Sequence, residues 1–382
     1  MPYFDNAATT FPKPEAVYTF TDRFYREYGV NVGRGQHKMA FTASKLREET
    51  RELLLSLFHC PTKKTVFTHS ATEAINIILQ GLDMAENTTI YLSPFEHNAV
   101  TRVIHHLQGI YKLNVKTLAV DKTTLEYDLE KIKYQFTEDK PHYVVISHAS
   151  NVCGLIAPIK DVCELSKKQS AINIIDMAQT AGLLDTNLSS NIYDFAVFAG
   201  HKTLYAPFGI AGFICNGDIF PNPLLYGGTG TDSGNQSLDK VVPDMYEVGS
   251  PNIAAIAGLN AALKWINETG IAKIYETEKK NHAELLSVLN EFDNIHIIGS
   301  MSTDNSIGVV SCLFNGYSSD NIGQILNDYD IAVRTGLHCA PLAHKFLDTL
   351  PAGTVRFSVS YFNNNEDFET LRTALRYIAN NS

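Results

Sequence analysis

Two short apolar runs, Ile172–Ile175 and Phe195–Phe198, constrain this chain most. Each is rich in β-branched or aromatic residues and too short for a helix, so each reads as a buried strand. Each run delivers polar chemistry at its end: Asp176 and Gln179 after the first, His201 and Lys202 after the second. Similar runs at Thr65–Thr68, Thr89–Ser93, Tyr143–Ser147 and Ile210–Ile214 alternate with helical stretches. Strands alternating with helices predict a mainly parallel sheet covered on both faces, with ligands at the strand ends.

From about Ile271 the pattern changes to a charged helix, strands near Ile295–Ile298 and Gly308–Phe314, and a helix near Ser319–Tyr329. A strand carrying Arg356 and a last helix near Glu366–Ala379 follow. The expectation is α/β: a large domain over residues 15–255, and a smaller α+β domain from 1–14 and 256–382. Helices are expected at Glu15–Tyr28, Thr42–Phe58 and Ile253–Ile266.

The 382 residues are 45% hydrophobic and 19% charged, which supports sizeable cores. A net charge of −10 argues against nucleic acid as the main partner. No apolar stretch reaches membrane-spanning length, and the N-terminus lacks the pattern of a secretory signal. None of the six cysteines forms a C-x-x-C pair, so no metal site is expected and a cytoplasmic protein with free thiols is.

Lysine and aspartate at neighbouring strand ends are the minimum kit for pyridoxal phosphate: an amine to bond the cofactor aldehyde, and a carboxylate to hold the ring nitrogen protonated. Partial burial lowers a lysine's pKa and suits it to that role. Ser70 and Glu73 have capping-box spacing, and a helix opening there would aim N–H groups at an anion, with Thr72 adding a hydroxyl. His97 follows a strand and is placed to stack on an aromatic ring or move protons; taken alone, it reads first as a surface-loop histidine. Asn151 is the best-placed polar side chain after Tyr143–Ser147. The loop around Arg34 and the glycine-rich Tyr226–Gly234 segment each read as a cover for a site or as plain connectors.

The motifs DNAATT, NVGRGQH, ATEAIN, EHNAV, SNVCG, DMAQ, GHK, EVGSPN, RTGLHCAPL and TVRFS occur in that order from Asp5 to the last strand. In them the chain resembles the cysteine desulfurases and selenocysteine lyases of the class V aminotransferase family, on the type I fold of pyridoxal phosphate enzymes. The short Arg334–Cys339 segment resembles the SufS-like branch. The resemblance implies that Lys202 bonds the cofactor, Asp176 pairs with the ring nitrogen, Gln179 approaches the ring hydroxyl and His97 stacks on the ring. It places Asn151 near ring or substrate. It puts Ala71, Thr72 and His201 around the phosphate, with Ser250 supplied by the other subunit of a homodimer. It gives the substrate carboxylate to Arg356, assigns Arg334 to the substrate as well, and makes Cys339 the sulfur-accepting nucleophile. The implied reaction converts L-cysteine to L-alanine with sulfur left on Cys339 as a persulfide, for hand-over to an acceptor protein. Selenocysteine as substrate, transamination, and a non-catalytic scaffold are the alternatives. Ala199 and Ala71 depart from the pattern: each removes a hydroxyl that relatives offer to the phosphate.

Overall fold

The structure is a computed structural model that describes residues 1–32, 35–229, 236–237, 240–299 and 302–381. Arg34 and residues 230–234 of the two glycine-rich loops lie outside the described residues. In chain order the first elements are α1 (Glu15–Tyr28), α2 (Lys38–Leu57), β1 (Lys64–Thr68), α3 (Ala71–Gly81), β2 (Thr89–Leu92), α4 (Asn98–Tyr111) and β3 (Asn114–Thr117). Next come α5 (Leu129–Glu138), β4 (Tyr143–Ser147), α6 (Ile159–Lys167), β5 (Ile172–Asp176), β6 (Phe195–Ala199) and β7 (Ala211–Cys215). Then follow α7 (Ile253–Thr269), α8 (Ile271–Leu289), β8 (Ile295–Ile298), β9 (Val309–Phe314), α9 (Ser319–Asp328), β10 (Arg334–Gly336), α10 (Pro341–Phe346), β11 (Thr354–Ser358) and α11 (Asn365–Asn380).

Seven strands form one sheet in the order β1-β7-β6-β5-β4-β2-β3. All run parallel except β7, which is antiparallel to both β1 and β6. Strand periodicity divides the core. Val144, Ile146, Ile175, Ala196 and Phe198 face the cluster that includes α1, α2, α6 and α7. Val145, Ile174, Phe195 and Val197 face α3 and α4. Burial on both faces explains why these strands read as unbroken apolar runs.

The register aligns the strand ends: Ser147 pairs with Asp176, and Asp176 with Val197. Their C-terminal residues therefore form one edge, from which the following loops emerge.

The second sheet, β10-β11-β9-β8, is antiparallel throughout. It packs with α8, α9 and α11 around Phe4, Phe357 and Phe368. The N-terminal segment joins it through parallel bridges of Tyr3 to Ala332 and Asp5 to Ser358. That connection brings residues 5–8 over the edge of the large sheet.

Two expectations shift. The second helix begins at Lys38, not Thr42, because the His37 ring accepts the Ala40 N–H and caps it. The short Arg334–Cys339 segment, where no strand is expected from the sequence, starts as strand β10 paired with β11, Arg334 opposite Arg356.

Candidate active site

At the C-terminal edge of the large sheet, β5 ends in Asp176, which is 8% exposed. Asp176 Oδ1 accepts the Ala178 N–H at 2.9 Å. Neighbouring β6 ends at Ala199, followed by Gly200, His201 and Lys202. Glycine is required in that turn, since a Cβ on Gly200 would stand 2.5 Å from the Ile210 carbonyl oxygen. Burial lowers the Lys202 amine to about 8, against the opposing pull of Asp176. Burial raises Asp176, with the Ala178 hydrogen bond and the Lys202 charge drawing it back.

Around this pair the other groups converge. The Ser70 hydroxyl accepts the Glu73 N–H at 3.1 Å and caps α3. The Glu73 carboxylate reaches His69 N–H rather than its own cap residue, so the box is closed one residue upstream. The start of α3, at Ala71 and Thr72, faces the cavity. His97 caps α4 by accepting the Ala99 N–H on Nδ1 at 3.0 Å, which leaves the ring proton on Nε2. Burial, then the charges of Lys202, Arg334, Arg356 and Arg102, lower His97 to about 4, so the ring is neutral. Burial also lowers His201 to about 3. Its ring stacks on Phe208 at 4.6 Å, and its buried Nδ1 has no partner among the described residues. Gln179 donates to the Ala7 carbonyl at 2.9 Å, fixing its amide so that the oxygen is spare.

Arg356 is 1% exposed. One of its terminal nitrogens donates to Asp5 Oδ1 at 2.8 Å and the other to the Asn151 carbonyl at 3.0 Å. Its Nε is buried and unpartnered among the described residues. A buried guanidinium with an open donor is an anion site in waiting.

One cavity of about 230 Å³ is lined by Ala71, Thr72, His97, Asn151, Asp176, Gln179, Ala199, His201, Lys202, Arg334 and Arg356. The residues singled out in the sequence for cofactor and substrate thus meet, with two exceptions. Ser250 is exposed and lines a separate pocket with Phe67, His69 and Tyr246. Cys339 lines an adjoining cavity that shares Arg334 and His338 with the first. The Arg334 guanidinium donates to Cys339 Sγ at 3.4 Å. The other five cysteines are buried, and Cys339 alone is partly exposed. Burial pushes Cys60 and Cys215 up to about 11, keeping both protonated.

Both His338 and Cys339 have left-handed backbone, with φ of 47° and 57°. Such conformations cost roughly 1–3 kcal/mol each in non-glycine residues and need outside restraint. Asn151 Nδ2 donates to the His338 carbonyl at 2.7 Å, and Asn98 N–H to the Cys339 carbonyl at 2.7 Å. The cysteine loop is therefore tied to residues on either side of the cavity.

Sequence reasoning missed Asp5 as the partner of Arg356, and Glu96. Buried Glu96 accepts from the Ser93 hydroxyl and from both N–H and hydroxyl of Ser147, and burial raises it to about 7. Its signal was a carboxylate in an otherwise apolar strand exit, one residue before His97.

These groups fit pyridoxal phosphate. The unpartnered His201 Nδ1 and the opening of α3 suit a phosphate, the Lys202 amine suits an aldehyde, and Asp176 suits a protonated ring nitrogen.

The chain matches the aminotransferase class V family over residues 2–371. A probable cysteine desulfurase of Methanothermobacter thermautotrophicus is 28% identical over 99% of this chain and 94% of its own. Another, of Pyrococcus abyssi, is 30% identical over 96% of this chain and 92% of its own. Among solved structures, the apo cysteine desulfurase of Thermococcus onnurineus NA1 superposes with a TM-score of 0.92 at 28% identity, covering 100% of this chain and 95% of that one.

Proposed function

The chain belongs to the class V aminotransferase family, and from that premise we propose that it is a pyridoxal phosphate-dependent cysteine desulfurase with Cys339 as sulfur acceptor. The observation that carries the choice of nucleophile is the one partly exposed cysteine, 3.4 Å from a guanidinium, beside the cavity of Lys202 and Asp176.

When bound, the cofactor supplies an electron sink that lets the Cα–H and then the Cβ–S bond of cysteine break. Ala71, Thr72 and His201 would hold its phosphate, Asp176 its ring nitrogen and Gln179 its ring hydroxyl, with His97 across the ring. Arg356 takes the substrate carboxylate on its open side, with Asn151 and Arg334 beside it. The Lys202 amine, lowered to about 8, is basic enough to accept the Cα proton and is appreciably uncharged near neutral pH. The Arg334 guanidinium stabilises anionic sulfur on Cys339. That sulfur attacks the substrate sulfur: the S–S bond forms as Cβ–S breaks. The electron pair left on carbon takes up a proton, and alanine leaves.

The functional protein is proposed as a homodimer, with Ser250 reaching the neighbouring subunit's phosphate site. Its exposure, away from the cavity of its own chain, supports this. The two-domain division at residues 15–255 belongs to the same proposal, supported by the bridges that tie the N-terminus to the second sheet. A cytoplasmic location and hand-over of sulfur to a carrier protein complete it. Among the described residues no helix is long and apolar enough to cross a membrane.

The test is incubation of loaded protein with L-cysteine, with quantification of alanine and mapping of persulfide by mass spectrometry. Cys339→Ala should retain cofactor and bind cysteine, yet accumulate no persulfide and release little alanine. Full desulfuration by that variant, with persulfide on another cysteine, would overturn the assignment. A parallel assay with selenocysteine separates the lyase alternative, and one with a keto-acid acceptor separates transamination.

A further inference from the structure

His338 precedes the proposed nucleophile, lines both cavities and is 3% exposed. Its Nε2 lies 2.8 Å from the Thr354 hydroxyl. The Thr354 hydroxyl lies 3.1 Å from the Ser311 hydroxyl, which in turn donates to the Val152 carbonyl at 2.7 Å. A carbonyl only accepts, and a hydroxyl has one proton. Ser311 therefore spends its proton on Val152, Thr354 spends its own on Ser311, and His338 Nε2 must be the donor to Thr354. The direction of every bond follows from the terminal carbonyl.

The ring is thereby fixed in one tautomer, with hydrogen on Nε2 and a bare Nδ1. That Nδ1 is buried and has no partner among the described residues. A second proton there would find no acceptor, and burial, with the Arg356, His344 and Arg334 charges, lowers the ring to about 2. His338 cannot store a proton for Cys339. The His344 ring packs against it at 5.4 Å and 43°, which hinders the imidazole from swinging out of the relay.

We infer that His338 is a positioning residue for sulfur transfer: through the Thr354–Ser311–Val152 relay it fastens the left-handed turn carrying Cys339 to β9 and β11. The turn then has three anchors: the relay, Asn151 Nδ2 on the His338 carbonyl, and Asn98 N–H on the Cys339 carbonyl. Of these three, the relay alone runs through a side chain of the turn; Arg334 also holds the Cys339 sulfur itself. Since β11 also carries Arg356, nucleophile and carboxylate site are measured from one strand.

The inference rests on Cys339 being the sulfur acceptor, and the experiment separates the two. In the loaded enzyme Thr354→Val keeps the shape of the side chain and removes the hydroxyl. Expected are unchanged cofactor absorbance, a KM for L-cysteine within about twofold, and a kcat for alanine release at least tenfold lower. In the unloaded protein, hydrogen exchange of the amides of residues 337–340 should quicken at least tenfold. Thr354→Ser should restore both. Parent-like kcat and exchange in Thr354→Val would overturn the inference. Should that variant fail to fold, His338→Gln and His338→Phe decide it. Gln retains an N–H near the Nε2 position and should keep kcat within a few-fold, whereas Phe should lose at least tenfold. Equal losses in both would mean that the imidazole itself is used, and the positioning role would fall. Absence of persulfide in the parent enzyme would instead remove the proposed function, while the exchange measurement would still report on the relay.

Discussion

Replacing Arg334 by Gln tests the electrostatic environment of Cys339 directly. The guanidinium stands 3.4 Å from Sγ, and both residues are partly buried. With an effective dielectric constant near 20, two unit charges at that distance attract by about 5 kcal/mol. Solvent reaches both groups, and the net value of a hydrogen bond to a charged partner is about 1.5–3 kcal/mol. Allowing for glutamine's remaining donor, a loss of about 1.4 kcal/mol in the contact's stabilisation of negative charge developing on the reacting sulfur is a conservative expectation, equivalent to tenfold in rate. The assay is the rate of alkylation of Cys339 by iodoacetamide at pH 7, read by mass spectrometry on native protein. The other five cysteines are buried, so the signal comes from one site. Arg334→Gln should slow the reaction about tenfold, while Arg334→Lys, which keeps a cation, should slow it less. An alkylation rate within twofold of the parent in Arg334→Gln would refute the claim that this contact stabilises the anionic sulfur.

Lys202→Ala should abolish both turnover and the visible absorbance of lysine-bound cofactor; normal turnover would remove Lys202 from its role. Ala199 lines the cofactor cavity at the end of β6, so Ala199→Ser should slow cofactor loss by up to about tenfold, the value of one added hydrogen bond. Cofactor dissociation rates decide it, and faster loss would contradict the placement of Ala199 against the phosphate. Glu278 is buried and raised from its ordinary value to about 8. Its folded value exceeds its unfolded one, so its contribution to stability is fullest below about pH 4.5 and is lost as pH rises through 8. The loss is on the order of 5 kcal/mol across that window. Glu278→Gln should therefore flatten the fall in Tm between pH 5 and 8; an unchanged slope would count against a buried, protonated carboxyl.

The sequence revealed most where physical constraint was local. β4 and the start of α1 fall where apolar runs and proline signals place them, because burial on both faces leaves no polar interruptions. Strand β3, Asn114–Thr117, escaped notice because an edge strand with half-exposed polar residues has no apolar signature. In the site, Asp176 and Lys202 were legible as strand-end residues. The partnership of Asp5 with Arg356 was not, for the two are 351 positions apart and their contact depends on the N-terminus crossing to the second sheet. That Arg334 and not His338 stands beside Cys339 was not legible either. Both are close in sequence, yet the left-handed turn sends the His338 ring to Thr354 and leaves the sulfur with Arg334.

The run Thr354-Val355-Arg356-Phe357-Ser358 shows how one strand can set several distances at once. Val355 and Phe357 point into the apolar core of the second unit, where Phe357 meets Phe4 edge to face at 6.4 Å. The alternate residues are polar and buried, and each has a separate task. Thr354 receives the His338 relay, Arg356 holds Asp5 and the Asn151 carbonyl, and Ser358 accepts the Ala7 N–H at 2.8 Å while donating to the Phe4 carbonyl. Cysteine loop, carboxylate site and N-terminal segment are thus spaced by the strand's two-residue period. A slip of one residue would exchange the faces, burying Arg356 among phenylalanines and turning Val355 and Phe357 toward the cavity. The cost of an unpaired guanidinium in that core forbids it. Arg356 therefore fixes the register of the strand as well as offering a site for the substrate carboxylate. A substitution that removed its charge would loosen the cysteine turn through Thr354, its anchor two residues away on β11, in addition to weakening substrate binding.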